Sequence, residues 1–202
     1  MSPIITPSLI LAAYLLGSLS SAIIICKLAG LPDPRGQGSG NPGATNVLRF
    51  GGKKLAALVL LGDILKGLIP ATVAILIGLA PDTVAIVGLA AFVGHLYPVF
   101  FGFRGGKGVA TAVGVILALS WITGLALIAT WLLISFLLRI SSLAAIGSAI
   151  LAPAYIWYLT AQPAYVIAVG IMSLILIWRH RSNIRNLLSG QEPRIGKKKD
   201  SG

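Results

Sequence analysis

Apolar residues in this chain come in long, nearly unbroken runs, where a soluble domain would show short periodic clusters, and brief polar stretches separate the runs. The first, 4–25, ends at Lys27 and is long enough, at about 1.5 Å per helical residue, to cross a hydrocarbon layer roughly 30 Å thick. A second covers 55–80 and closes at Pro81-Asp82. A third covers 84–103 and breaks at Arg104-Gly105-Gly106-Lys107-Gly108. The piece 109–138 is too long for one comfortable crossing and too short for two full ones, with a weak break at Ser120-Trp121-Ile122-Thr123-Gly124. Two further runs, 142–159 and 164–177, flank Thr160-Ala161-Gln162-Pro163. The pattern predicts an all-α polytopic membrane protein: one integral membrane domain over 1–202, a polar loop at about 29–54 and a basic tail at about 179–202.

Charge decides how 109–138 is divided. If the first polar segment is cytoplasmic, two crossings put Arg139 and the basic tail on its side of the membrane, whereas one would send both outside. The prediction is therefore seven transmembrane helices, with the N-terminus outside and the C-terminus cytoplasmic. The external connections near 81–83, 121–123 and 160–163 then contain no Lys or Arg, and all sixteen cations fall in cytoplasmic segments or, like Lys66, within a helix. Trp121, Trp157, Tyr158 and Tyr165 fall near the outer ends, as interfacial aromatics do. Composition agrees: 56% of residues are apolar and 10% charged, and mean hydropathy is +0.93. A net charge of +11 would suggest nucleic acid for a soluble protein, but here its location excludes that partner. Cys26, the single cysteine, has no internal disulfide partner. The N-terminal run has no basic region before it and no small-residue cleavage site after it, so it is expected to be a retained helix.

The topology gathers the chemistry at one face. The longest polar segment, Gly36-Gln37-Gly38-Ser39-Gly40-Asn41-Pro42-Gly43-Ala44-Thr45-Asn46-Val47-Leu48-Arg49, has Arg35 before it and Lys53-Lys54 after it. Glycines that leave backbone N–H groups uncovered, hydroxyl and amide side chains, and cations at both ends suit an anion such as phosphate; a flexible connecting loop is the plain alternative. Gly105-Gly106-Lys107-Gly108 at a helix start offers free N–H donors, a helix dipole and an ammonium group. It is not a Walker A loop, because Gly108 follows the lysine and no strand precedes it. Gly38-x-Gly40-x-x-Gly43 matches the dinucleotide fingerprint by spacing alone, without its βαβ setting. His180 and Asn183, three apart, are expected to share a face near the inner end of the last helix, where a solvated basic helix end is the alternative. Asp63 and Lys66, also three apart, are expected to pair inside the protein. His95, in a mostly apolar run, reads from its surroundings as a core histidine. There is no Gly-x-Ser-x-Gly elbow, no Asp four residues after either histidine, and no cluster suited to a metal. Such residues suit holding and polarising phosphorylated substrates, and a transporter for a phosphorylated anion would use the same pocket.

Three of these motifs carry a family resemblance. The segment Gly38-Ser39-Gly40-Asn41-Pro42-Gly43-Ala44-Thr45-Asn46-Val47-Leu48-Arg49, then Gly94-His95-Leu96-Tyr97-Pro98-Val99-Phe100 leading into Gly105-Gly106-Lys107-Gly108-Val109-Ala110-Thr111, and finally Arg179-His180-Arg181-Ser182-Asn183-Ile184 follow one another in order. Together, across 17–192, they resemble the bacterial acyl-phosphate:glycerol-3-phosphate acyltransferase family, PlsY. The resemblance implies seven transmembrane helices in the bacterial cell (inner) membrane, with the active site at the cytoplasmic face. It implies transfer of a fatty acyl group from acyl phosphate to the sn-1 hydroxyl of glycerol 3-phosphate, giving lysophosphatidic acid and phosphate, the first acylation of phospholipid synthesis. By motif position, Ser39 and Arg49 match essential residues of the first motif, Gly105, Gly106, Lys107 and Gly108 match the glycerol-phosphate loop, and His180 and Asn183 match the catalytic pair of the third motif. Gly40, Asn41, Thr45, Lys66, His95 and Ser142 are expected to face substrate, and Glu192 matches a structural glutamate. The base is either His180 or a substrate phosphate oxygen. The expected partners are glycerol 3-phosphate, long-chain acyl phosphate and membrane lipid, with no cofactor or metal. The soluble enzyme that makes acyl phosphate is a candidate visitor to the basic inner surface. The lysine-rich 196–202 departs from the family pattern and is expected near anionic headgroups.

Overall fold

The computed structural model describes residues 4–195, so the first three residues and the lysines of 196–202 lie outside the described part. Ten helices follow in order: α1 (Ile5–Gly17), α2 (Ser21–Leu28), α3 (Ala44–Phe50), α4 (Gly52–Leu76), α5 (Pro81–Leu96), α6 (Val109–Leu119), α7 (Trp121–Leu138), α8 (Ser141–Thr160), α9 (Pro163–Arg179) and α10 (Arg181–Leu188). Short 3-10 turns occupy Pro34–Gly36 and Val99–Phe101, and no strand occurs among the described residues.

The apolar runs become helices, with several corrections to their bounds. The first run is broken: α1 and α2 meet at a 46° bend around Ser18–Ser20. The 29–54 segment is not simply a loop, because Thr45 and Arg49 lie on α3 and α4 already starts at Gly52. The third run stops as a helix at Leu96 and continues as a 3-10 turn, since Pro98 cannot extend the helix's hydrogen-bond ladder. The break in 109–138 is the single residue Ser120, whose hydroxyl accepts from the Thr123 N–H and caps α7. His180 and Asn183 are not on one helix: a 56° bend lies between α9 and α10, and the first part of the basic tail, 181–188, is helical.

α4, α7, α8 and the segment Pro81–Phe101, in which α5 runs on into the 3-10 turn, are each long and apolar enough to cross a membrane, and the bent pairs α1–α2 and α9–α10 bring the number to as many as six. α6 has 11 residues, about 16 Å of helix, so alone it falls short of a full crossing. The outer surface is apolar, as lipid contact requires: Phe136 is 82% exposed and Leu174 70%. Inside, Phe92, Leu96, Val115, Ile156 and Met172 form the core with many alanines.

Small residues bring helices into backbone contact. A Cβ at Gly17 would lie 2.1 Å from the Ala91 carbonyl oxygen and one at Gly94 2.3 Å from that of Tyr14, so α1 lies directly on α5. Gly67 and Gly114 do the same for α4 and α6, where added Cβ atoms would sit 2.3 Å from the Thr111 oxygen and 2.0 Å from the Ile64 oxygen. Glycine at these positions allows the close approach. Cross-links then draw the polar segments to one end: Arg35 donates to the Phe101 carbonyl at 2.9 Å, Thr45 and Ser141 hydroxyls meet at 3.3 Å, and the Ile195 N–H donates to the Arg139 carbonyl at 2.7 Å. The opposite connections, at 77–80, 120 and 161–162, are short and contain no Lys or Arg.

Candidate active site

The first polar segment is built around Asn46, which is 1% exposed. Its Oδ1 accepts from the Ser39 N–H at 2.9 Å, while Nδ2 donates to the carbonyls of Pro34 and Gln37, both at 2.9 Å. One buried amide thus shapes the turn that presents Ser39, Gly40 and Asn41. Asp33 holds Arg35 through a 2.7 Å ion pair, and that bond to the Arg35 guanidinium keeps the Asp33 carboxyl below its ordinary range. Arg49, on α3, is exposed and has no hydrogen-bond or ion-pair partner among the described residues.

The second motif is a backbone turn clamped on both sides. The N–H groups of Gly105 and Gly106 donate to the carbonyls of Leu96 and His95, each at 3.2 Å. Their own carbonyls accept from Arg179: Nη2 lies 2.9 Å from the Gly105 oxygen and 2.8 Å from that of Gly106, and Nε lies 3.2 Å from the latter. Two of the four expected free N–H donors are therefore occupied, whereas those of Lys107 and Gly108 have no partner among the described residues. A Cβ at Gly106 would fall 2.2 Å from His95 Nε2, so only glycine lets the turn pack there. Gly108, at φ +90°, swings the chain into α6.

Lys107 donates to Asn183 Oδ1, and Asn183 Nδ2 donates to Glu192 Oε1 at 2.6 Å. The same oxygen accepts from the Ser142 hydroxyl at 2.6 Å. Ser142, on which substrate contact was expected, thus directs its hydroxyl to Glu192. Burial pulls the Lys107 ammonium below the ordinary lysine value; Glu192 pulls the other way, and the positive charges of Arg179 and Arg49 lower it further. His180, 3% exposed, is not a solvated helix end. Its Nδ1 lies 2.8 Å from the Leu176 carbonyl oxygen. A carbonyl cannot donate, so the proton sits on Nδ1 and Nε2 is left as an acceptor.

Lys66 and His95 gather around the buried Asp63, in a cluster that adjoins the second motif where the His95 ring packs against Gly106. Lys66 Nζ pairs with Asp63 Oδ1 at 2.9 Å, as their spacing predicted, and also donates to the Leu19 carbonyl at 3.0 Å, at the break between α1 and α2. His95 Nδ1 is 3.7 Å from Asp63 and makes no hydrogen bond, so His95 is not a fully satisfied core histidine. Sequence reasoning missed Asn46 and Arg179 as organisers. An amide side chain following a glycine-rich stretch was the available signal for the first, and nothing local signalled the second. Among the described residues no three of His, Cys, Asp or Glu are grouped to hold a metal ion.

The chain matches the family described as glycerol-3-phosphate acyltransferase over residues 8–190. It is 58% identical to the glycerol-3-phosphate acyltransferase of Thioalkalivibrio sulfidiphilus, covering 96% of each chain. It is 54% identical to that of Methylococcus capsulatus over 93% of this chain and 94% of the relative. Crystal structures of PlsY, an integral membrane glycerol 3-phosphate acyltransferase, superpose with TM-scores of 0.91 for the glycerol 3-phosphate form and 0.88 for the lysophosphatidic acid form. The first is 44% identical, with 95% of this chain and 96% of that one covered; the second is 42% identical, with 95% of both covered. A helical bundle with an apolar exterior, one cationic end and these motifs in order is a member of the glycerol-3-phosphate acyltransferase family of integral membrane proteins.

Proposed function

We propose that this protein moves a fatty acyl group from acyl phosphate to the sn-1 hydroxyl of glycerol 3-phosphate, releasing lysophosphatidic acid and inorganic phosphate. The observation that carries this reading is Lys107: a part-buried ammonium whose hydrogen-bonded partner is a neutral amide, beside two unpartnered backbone N–H groups and within electrostatic reach of Arg49. An anion with two charges would complete that arrangement. The solved relatives described with glycerol 3-phosphate and with lysophosphatidic acid support the acceptor and the product.

In this reading Lys107, Arg49, Ser39 and the N–H groups of Lys107 and Gly108 hold substrate phosphates, while Gly40, Asn41 and Thr45 shape the entrance and Gly105 and Gly106 keep the turn compact. The glycerol hydroxyl oxygen attacks the acyl carbonyl carbon; the bond from that carbon to the phosphate oxygen breaks, and phosphate leaves. Phosphate is already a good leaving group, so alignment supplies much of the rate and no covalent enzyme intermediate is needed. His180 Nε2 accepts the hydroxyl proton, with Nδ1 anchored by Leu176. Asn183 aligns Lys107, and Ser142 and Glu192 fix Asn183 in turn. Lys66 and His95 support the site from behind.

We place the site at the cytoplasmic face of the bacterial inner membrane, in a single domain of seven crossings with α6 as the shortest and the N-terminus outside. The cation-free connections at one end and cationic segments at the other support that orientation. A soluble acyl-phosphate-forming enzyme would approach the cationic end. The reaction is tested by giving purified protein in lipid glycerol 3-phosphate with either a long-chain acyl phosphate or the matching acyl thioester. Equal amounts of sn-1 lysophosphatidic acid and phosphate from acyl phosphate alone are expected. Product from the thioester alone would overturn the donor assignment.

A further inference from the structure

Arg179 stands one residue before His180, yet its side chain reaches back to a turn more than seventy positions earlier. Three hydrogen bonds from Nε and Nη2 hold the carbonyls of Gly105 and Gly106. The guanidinium also lies 5.7 Å above the Tyr97 ring. Each carbonyl shares a planar trans unit with the next residue's N–H, so fixing the Gly106 oxygen also fixes the direction of the Lys107 N–H. The next covalent step from that unit is the Cα that carries the Lys107 side chain. On the far side, Gly105 and Gly106 N–H groups are held by Leu96 and His95. The turn is therefore gripped from both faces, and only the Arg179 grip comes from the segment that carries His180.

We propose that Arg179 is a positioning residue: its forked guanidinium locks the Gly105–Gly106 turn to the α9 end and thereby sets Lys107 in register with His180. The proposal rests on the reading that Lys107 holds substrate phosphate. It assigns Arg179's contribution to the fork, because one ammonium nitrogen cannot stand at both the Nε and Nη2 positions from which the carbonyls are reached. A residue acting on substrate by charge alone would behave differently.

The test compares wild type, Arg179→Lys, Arg179→Gln and Tyr97→Leu in lipid, measuring kcat and KM for glycerol 3-phosphate. Both Arg179 variants are expected to raise KM about tenfold or more, with lysine no better than glutamine. Tyr97→Leu, which removes the ring under the guanidinium, is expected to raise KM in the same direction by a smaller factor and keeps the test available if the Arg179 variants do not fold. Wild-type KM in Arg179→Lys with a large rise in Arg179→Gln would overturn the proposal in favour of charge, and so would unchanged KM in Tyr97→Leu. A wild-type protein that binds glycerol 3-phosphate but transfers no acyl group would instead overturn the functional reading beneath it.

Discussion

Lys66, buried within the bundle, and Lys107, part-buried on the turn before α6, have different partners. Lys66 faces a carboxylate: its ammonium sits 2.9 Å from Asp63 and 3.0 Å from the Leu19 carbonyl, with both charged side chains 4% exposed. Lys107 faces an amide, Asn183, while the nearest acidic group, Glu192, gives one oxygen to Asn183 and Ser142. A charge balanced within the fold stabilises an arrangement, here the bend between α1 and α2. A charge left with a neutral partner at the cationic end can be balanced by a ligand. In the proposed function the same side chain serves structure in one place and recognition in the other.

Substitutions can break this contrast. The largest effect is expected at His180, whose neutral ring presents Nε2 as an acceptor because Nδ1 donates to the Leu176 carbonyl. His180→Gln should lower kcat by about 10²- to 10⁴-fold. A rise confined to KM would show that the ring binds phosphate and takes no proton. Lys66→Met would strand the Asp63 carboxylate in the bundle and should cost about 3–5 kcal/mol of stability. Its melting temperature in detergent should drop markedly, and Lys66→Met with Asp63→Asn should recover much of the loss. A single variant as stable as wild type would deny the pair its structural role. Glu192→Gln keeps an acceptor but removes the charge behind two short hydrogen bonds, which should cost about 1–3 kcal/mol. A lower melting temperature with a raised KM is expected, and an unchanged melting temperature would remove Glu192 from the chain that aligns Lys107. The smallest effect concerns pH. Lys107 must be charged, and burial holds its pKa below the ordinary lysine value. kcat/KM should therefore fall on the alkaline side before pH reaches about 10.4, the unperturbed lysine value. Lys107→Arg should carry that limb to higher pH, and an unmoved limb would assign it to another group.

Much of the fold was legible in the sequence because lipid imposes simple rules: long apolar runs must be helices, and cations must collect on one side. The Asp63 and Lys66 pair was legible from helical spacing alone. The breaks were not. Ser18–Ser20 looks no more disruptive than other small polar residues, and the bend at His180 has neither glycine nor proline to mark it. α3 was hidden because Thr45 and Asn46 are ordinary turn residues, and the capping Gly43 before it matches the loop. The site's residue types were visible as motifs, but their connections were not. Asn46 as the centre of one turn and Arg179 as the clamp on another depend on contacts that no local spacing encodes.

In the proposed function, substrate phosphate balances the charge of Lys107 that the fold leaves facing a neutral amide. The direct measurement is kcat/KM for glycerol 3-phosphate, with long-chain acyl phosphate as donor, in Lys107→Ala and wild type purified into the same lipid. A loss of at least about 10²- to 10³-fold is expected with the variant still folded. Folded Lys107→Ala that retains wild-type kcat/KM would contradict it.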